Sequence, residues 1–244
     1  MKTGLVSVTF RKKSPREIAE LVRKAGLDGI EWGSDVHAVS PAAAKEIRSM
    51  MEGLETFSLG SYYRAGEGQD FELVLDIACT LDAPNIRIWA GTVDGRDADE
   101  EQWKRVIKDA KKAALMARAA GKTISFEYHQ GTITSLQKNA MRLIRDIGED
   151  NVFLYWQPLD CDPEETKTDD IMETVREKKL MNLHVYQWEG GIRMPLIKGE
   201  ERWKPWIRAA APFSTAALIE FVRDDDADQF LMDAEVLKRL VKNI

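Results

Sequence analysis

Hydrophobic positions along the chain fall into two alternating rhythms. Short apolar or period-two runs give way to stretches where apolar residues recur every three or four positions. The short runs predict strands at Leu5–Phe10, Gly29–Trp32, Thr56–Leu59, Asn85–Ala90, Thr123–Tyr128, Val152–Gln157, Asn182–Tyr186 and Ala216–Val222. Between them the longer period predicts helices. Ser14-Pro15-Arg16-Glu17 fits a capping box with proline at the first helical position, so a helix starts there and ends at Gly26. Ile18, Leu21, Val22 and Ala25 form its apolar stripe. Further helices are expected from Ser40-Pro41 to Met51, then over Asp70–Leu81, Asp99–Ala120, Ser135–Ile147, Pro163–Lys178, Arg202–Ala210 and Ala227–Lys242.

Eight strands each followed by a helix make adjacent strands parallel. Eight such units within 244 residues match a single α/β (β/α)8 TIM barrel. A doubly wound open sheet is the rival, but no G-x-G-x-x-G turn follows the first strand. No linker composition or low-complexity stretch divides the chain, so residues 1–244 read as one domain. Residues 187–201 form the longest irregular stretch and suit a lid.

Composition narrows the class. The chain is 44% hydrophobic and 31% charged, the balance of a globular protein. Its net charge of −6 argues against bulk nucleic-acid binding, which needs a basic surface. No run approaches the roughly 20 apolar residues of a membrane span. The start of the chain has too short an apolar run for a signal peptide. Cys79 on a helix and Cys161 in a loop form no disulfide framework, so a cytoplasmic location is expected.

The chemistry gathers at the strand ends. The chain has three histidines, His37, His129 and His184, each near the carboxyl end of a predicted strand. In a (β/α)8 barrel those ends form the active face. Side chains alternate along each strand, so an inward Glu127 shares its side with Ser125 and His129. By the same parity Gln157, His184 and Glu220 meet Glu127 from the next three strands. Two carboxylates, an imidazole and an amide oxygen suit Mn²⁺, Mg²⁺ or Co²⁺ and leave Zn²⁺ open. Taken alone, His184 reads more readily as a hydrogen-bonded core histidine. Arg87 and Glu31 sit mid-strand and read as a structural ion pair.

Four of the seven tryptophans also lie at strand ends. Trp32 and Trp156 have the parity of the helix layer. Trp89 and Trp188 are pocket candidates, because indole faces suit the apolar faces of a sugar or polyol. Trp203 and Trp206 are expected to pack the helix after the long loop.

The segments GIEWGSDVH, IRIWAG, SFEYHQGT, LYWQP, LHVYQW and IEF, in this order across the chain, resemble the sugar phosphate isomerase/epimerase superfamily, the xylose isomerase-like TIM barrels. The resemblance implies one divalent metal ion held by Glu127, Gln157, His184 and Glu220. Gln157 stands where the family has aspartate, and Asp160 where a substrate-contacting histidine is usual. It further implies a sugar isomerase or epimerase working through a cis-enediolate, with Glu127 and Glu220 as the catalytic pair. His37, His129, Trp89, Trp188, Asp160 and Arg193 would then bind substrate, and Arg193 and Lys198 would neutralise a phosphate or carboxylate unless they are plain solvated loop charges, the reading favoured for them. A metal-dependent lyase or dehydratase on a keto-sugar or cyclitol is the runner-up, and a non-catalytic sugar-binding barrel the alternative outside enzymes. An endonuclease IV-like nuclease shares the fold but needs more histidines than this chain has. The expected partner is a small sugar or polyol, with no nucleic acid and no membrane, and homo-oligomers are left open.

Overall fold

In a computed structural model, residues 1–159 and 166–242 are described. Eight parallel strands close into a barrel: β1 (Lys2–Val6), β2 (Gly29–Gly33), β3 (Glu55–Arg64), β4 (Asn85–Trp89), β5 (Thr123–Glu127), β6 (Val152–Trp156), β7 (Leu180–Val185) and β10 (Ala216–Ile219). Each pairs with the next in sequence, and β10 closes onto β1 with Lys2 opposite Ala216. Around them, among the described residues, stand α1 (Pro15–Ala25), α2 (Pro41–Ser49), α3 (Phe71–Leu81), α4 (Glu100–Ala119), α5 (Gln137–Ile147), α6 (Lys167–Arg176), α7 (Glu200–Ala210) and α8 (Ala227–Lys242). The remaining strands, β8 (Trp188–Glu189) and β9 (Ile192–Arg193), form an antiparallel hairpin above the barrel. Among the described residues, no helix is long and apolar enough to cross a membrane.

Local chemistry sets these boundaries. The capping box of α1 is formed: Ser14 Oγ accepts from the Glu17 N–H while the Glu17 carboxylate takes the Ser14 N–H. Asp99 and Gln102 do the same for α4. Each such cap contributes about 1 kcal/mol. Gly26 stops α1 in the left-handed region at φ 65°, which glycine adopts without a Cβ clash.

Several expected boundaries move. The first strand ends at Val6, and Ser7–Phe10 coils into a 3₁₀ turn. Ser7 Oγ accepts the Gly33 N–H at 2.9 Å, so a side chain takes the bond that strand pairing would have made. The third strand runs to Arg64 rather than Leu59, because its pairing with β4 shifts register between Gly60 and Arg64. The sixth helix is described over Lys167–Arg176, and its expected start at Pro163 lies outside the described residues. The stretch read as one irregular loop contains the β8–β9 hairpin, turned by Gly190 and Gly191 at φ 56° and 78°. Two positive φ values in a two-residue turn match the twist of the flanking strands.

The apolar core has two parts. The larger lies between strands and helices and includes Trp32, Trp156, Trp203 and Trp206, all almost fully buried. Trp156 packs edge-on against both Trp203 and Trp206, as parity and position suggested. The smaller plugs the barrel interior with Val6, Phe57, Tyr155, Ala216 and Leu218. Above that plug the interior turns polar.

Candidate active site and metal centre

The polar layer is made by inward residues near the carboxyl ends of the strands. Glu31 from β2, Arg87 from β4, Glu127 from β5 and His184 from β7 are each at most 4% exposed. Gln157 and Glu220, one residue past β6 and β10, are 4% and 5% exposed. Charge this deep survives only when paired, since an isolated buried ion is very costly.

Arg87 supplies the first compensation. Its Nε donates to Glu31 Oε1 at 2.8 Å, and its Nη1 donates to Glu127 Oε2. The expected Glu31 pair is therefore present, and Glu127 is a second partner. Gly60 makes room for it: a Cβ there would lie 2.7 Å from Glu31 Oε1 and 2.8 Å from Arg87 Nη2. Trp89 Nε1 also donates to Glu127 Oε2, at 2.6 Å. Burial pushes the Glu127 carboxyl upward, but Arg87 and then His184 outweigh it and hold it below its ordinary pKa. Glu31 is lowered in the same way, with burial opposed chiefly by Arg87.

His184 stands at the centre. Its Nδ1 is 3.3 Å from Glu220 Oε2 and 3.5 Å from Glu127 Oε1, and its Nε2 is 3.6 Å from Glu31 Oε1. Tyr155 braces the ring edge-on at 5.2 Å. Burial lowers the imidazole pKa, yet Glu220, Glu127 and Glu31 together raise it well above its ordinary value. Gln157 Nε2 donates to the Tyr128 carbonyl at 2.8 Å, which fixes the amide.

Five atoms of this layer then remain buried with no hydrogen-bond partner: Glu31 Oε2, Gln157 Oε1, both His184 ring nitrogens and Glu220 Oε2. Buried orphans of this kind call for an explanation such as an ion. Glu127, His184 and Glu220 each offer a ligand atom, and these lie within 4.8 Å of one another. Charge points the same way. Three carboxylates against one guanidinium leave two negative charges once His184 gives up its proton to serve as a ligand, and one divalent cation neutralises them. The residues fit a divalent metal ion.

The cleft above has a volume of about 400 Å³. Of the residues expected to meet substrate, Trp89, His129, Trp188 and Arg193 line it. Trp89 and His129 stack with centroids 4.5 Å apart, and Arg64 covers the indole at 4.2 Å. His37 does not line it, which corrects that expectation. Its Nδ1 is 2.9 Å from Ser7 Oγ and its Nε2 is 3.2 Å from the Lys13 carbonyl, so the ring ties the ends of β1 and β2 together. Lys198 is exposed and off the cleft. Asp160 and Cys161 lie outside the described residues.

Sequence reasoning missed Arg11, Tyr62 and Phe221 as lining residues, and Arg87 as a partner of Glu127. Tyr186 also lines the cleft, two residues past His184 and so on the same strand parity. Placing the end of β1 at Val6 would have pointed to Arg11. Nothing in the pattern marked Phe221.

A family model described as xylose isomerase-like TIM barrel matches residues 19–240. No curated protein matches the chain by sequence. Among solved structures, the probable 3-DHS dehydratase AsbF from Bacillus anthracis is similar at TM-score 0.78 and 15% identity, over 98% of this chain and 99% of that one. The IOLI protein with a bound zinc atom is similar at TM-score 0.75 and 15% identity, over 100% and 99%. A D-psicose 3-epimerase with D-tagatose, from Clostridium cellulolyticum H10, is similar at TM-score 0.72 and 14% identity, over 100% and 99%. At these identities the likeness concerns the fold.

Proposed function

The chain belongs to the xylose isomerase-like TIM barrel family, and on that premise we propose that it is a divalent-metal-dependent isomerase or epimerase of a sugar or sugar derivative. One observation carries this reading: the buried, partnerless ligand atoms of His184 and Glu220 converge with Glu127 at the floor of an aromatic-walled cleft that Gln157 also lines.

Glu127, Gln157, His184 and Glu220 would hold the ion. When bound, it supplies Lewis acidity to a substrate carbonyl and its neighbouring hydroxyl, which acidifies the adjacent C–H. The protein side of the chemistry is proton transfer. Glu220 Oε2 accepts no hydrogen bond and so is the better-placed base. Glu127 Oε2 already accepts from Arg87 and Trp89, which hold the carboxylate charged and aimed inward. Its work is first as a ligand, and its remaining oxygen faces His184 and Gln157. Proton removal gives a cis-enediolate. Returning the proton to the opposite face of the same carbon epimerises, and returning it to the neighbouring carbon isomerises. His129, stacked on Trp89, meets substrate hydroxyls, and Trp188 presents apolar surface.

Exchange of substrate C–H for deuterium in D₂O tests this across a panel of ketoses and sugar phosphates, with Mn²⁺ added. Metal-dependent exchange is expected with at least one compound. Glu127→Gln should lower it about 10²- to 10⁴-fold with unchanged circular dichroism. Exchange that survives this substitution would remove Glu127 from the mechanism.

A further inference from the structure

The cleft carries charge that metal binding does not use. Three arginines line it, Arg11, Arg87 and Arg193, against the acids Glu127 and Glu220. Arg87 is buried on the floor between Glu31 and Glu127. The other two stand nearer solvent, with side chains 51% and 34% exposed, where Glu127 and Glu220 are at most 6% exposed. They therefore mark the mouth. Among the described residues each is held by one carboxylate, Asp35 for Arg11 and Asp225 for Arg193, and neither acid lines the cleft. A guanidinium has five N–H donors, so a single carboxylate can orient it and leave donors for a ligand. Arg193 gives Asp225 only Nη1, at 2.5 Å. Arg11 donates to Asp35 through Nη2. Both line the same cleft, whose volume is about 400 Å³.

The wall beneath Arg193 is strained. The guanidinium carbon lies 5.0 Å from the Phe221 ring centroid and 5.7 Å from that of Trp188. Phe221 follows Glu220 directly, so strand alternation would turn it toward the helices. Its φ of 59° turns it back instead, and both residues line the cleft. A bulky side chain in the left-handed region is an outlier that only its surroundings sustain. Asp224 and Asp225 follow at φ 58° and 51°. Thus three of the five non-glycine residues with positive φ among the described residues lie in this turn. Strain of this kind concentrates at ligand clamps.

We propose that Arg11 and Arg193, the latter laid on Phe221 and Trp188, form an anion subsite at the cleft mouth. It takes a carboxylate or phosphate on the end of the substrate remote from Glu127 and Glu220. The proposal rests on the reading of the cleft as a sugar site and narrows it to sugar phosphates and polyhydroxy acids.

Isothermal titration of the full chain with D-fructose 6-phosphate, D-gluconate and D-fructose, with and without Mn²⁺, tests it. At least one anion should bind about tenfold or more tightly than D-fructose, and the gap should shrink as salt screens the exposed charges. Arg11→Met and Arg193→Met should each weaken anion binding about tenfold, well beyond any loss in D-fructose binding. Asp225→Asn removes the partner of Arg193 but keeps its charge, so anion affinity should persist. The stronger anion identifies phosphate or carboxylate as the group recognised. Equal affinities for all three compounds, or binding of none, would overturn the proposal. So would Arg193→Met and Asp225→Asn weakening D-fructose and the anions alike, since the pair would then be a structural tie. Anion binding without any deuterium exchange would sink the enzymatic reading and leave the subsite standing. Exchange confined to neutral ketoses would do the reverse.

Discussion

The His37 ring is held between the Ser7 hydroxyl and the Lys13 carbonyl, packed edge-on to Trp32. Burial is the main cause of its lowered pKa, opposed by the bond to Lys13 and the charge of Asp35. The folded state thus binds a proton here less readily than the unfolded chain, whose histidines titrate near about 6.5. Stability from this ring is present above that pH and is lost as pH falls through the lower folded-state value. The thermal midpoint should therefore drop between about pH 7 and 5, and His37→Gln should flatten the slope. Identical slopes in the two proteins would contradict this role. The same residue shows where sequence pattern stops. Glu127, Gln157, His184 and Glu220 were legible because period-two alternation decides which way a strand residue points. His37 lies beyond its strand, where alternation ends and local hydrogen bonds choose the direction. Phe221 was illegible for a related reason, because a backbone reversal at one residue leaves no trace in the hydrophobic pattern.

At the scale of elements, β3 carries the most consequential surprise. Gly60 and Ser61 interrupt its apolar run, so the sequence suggests an early end at Leu59. In the barrel those residues serve β4. Gly60 leaves space for the Arg87–Glu31 pair, and Ser61 Oγ donates to the Arg87 carbonyl at 2.6 Å. Gly60→Ala would press a methyl group on the buried ends of both charged side chains. It should destabilise the protein by about 1–3 kcal/mol and, by displacing Arg87 from Glu127, also weaken Mn²⁺ binding. Denaturant unfolding and metal titration of the variant check the two effects. Unchanged values in both would mean that the pair accommodates a Cβ. The β8–β9 hairpin was hidden by length: each strand has two residues, too few for alternation to register. Its Gly190-Gly191 turn was the available signal. Helix starts, by contrast, were readable to within a residue or two at Ser14 and Asp99, because capping boxes are local chemistry.

For the whole molecule, barrel closure turns scattered strand ends into a centre. β1 pairs with β10, and His184 on β7 comes to face both Glu31 on β2 and Glu127 on β5 across the interior. An apolar plug below and aromatic walls above leave the charged layer little solvent, so its balance must be met by ions of its own. Eight alternating units announced this architecture from the sequence alone, since only a few topologies accommodate them. The central claim is that Glu127, Gln157, His184 and Glu220 chelate one divalent cation. Anomalous diffraction from crystals soaked in Mn²⁺ tests it most directly. The account predicts a single strong peak about 2.0–2.4 Å from an oxygen of Glu127, Gln157 and Glu220 and from His184 Nδ1. No peak there at saturating Mn²⁺, with His184 still resting against Glu220 and Glu127, would contradict it.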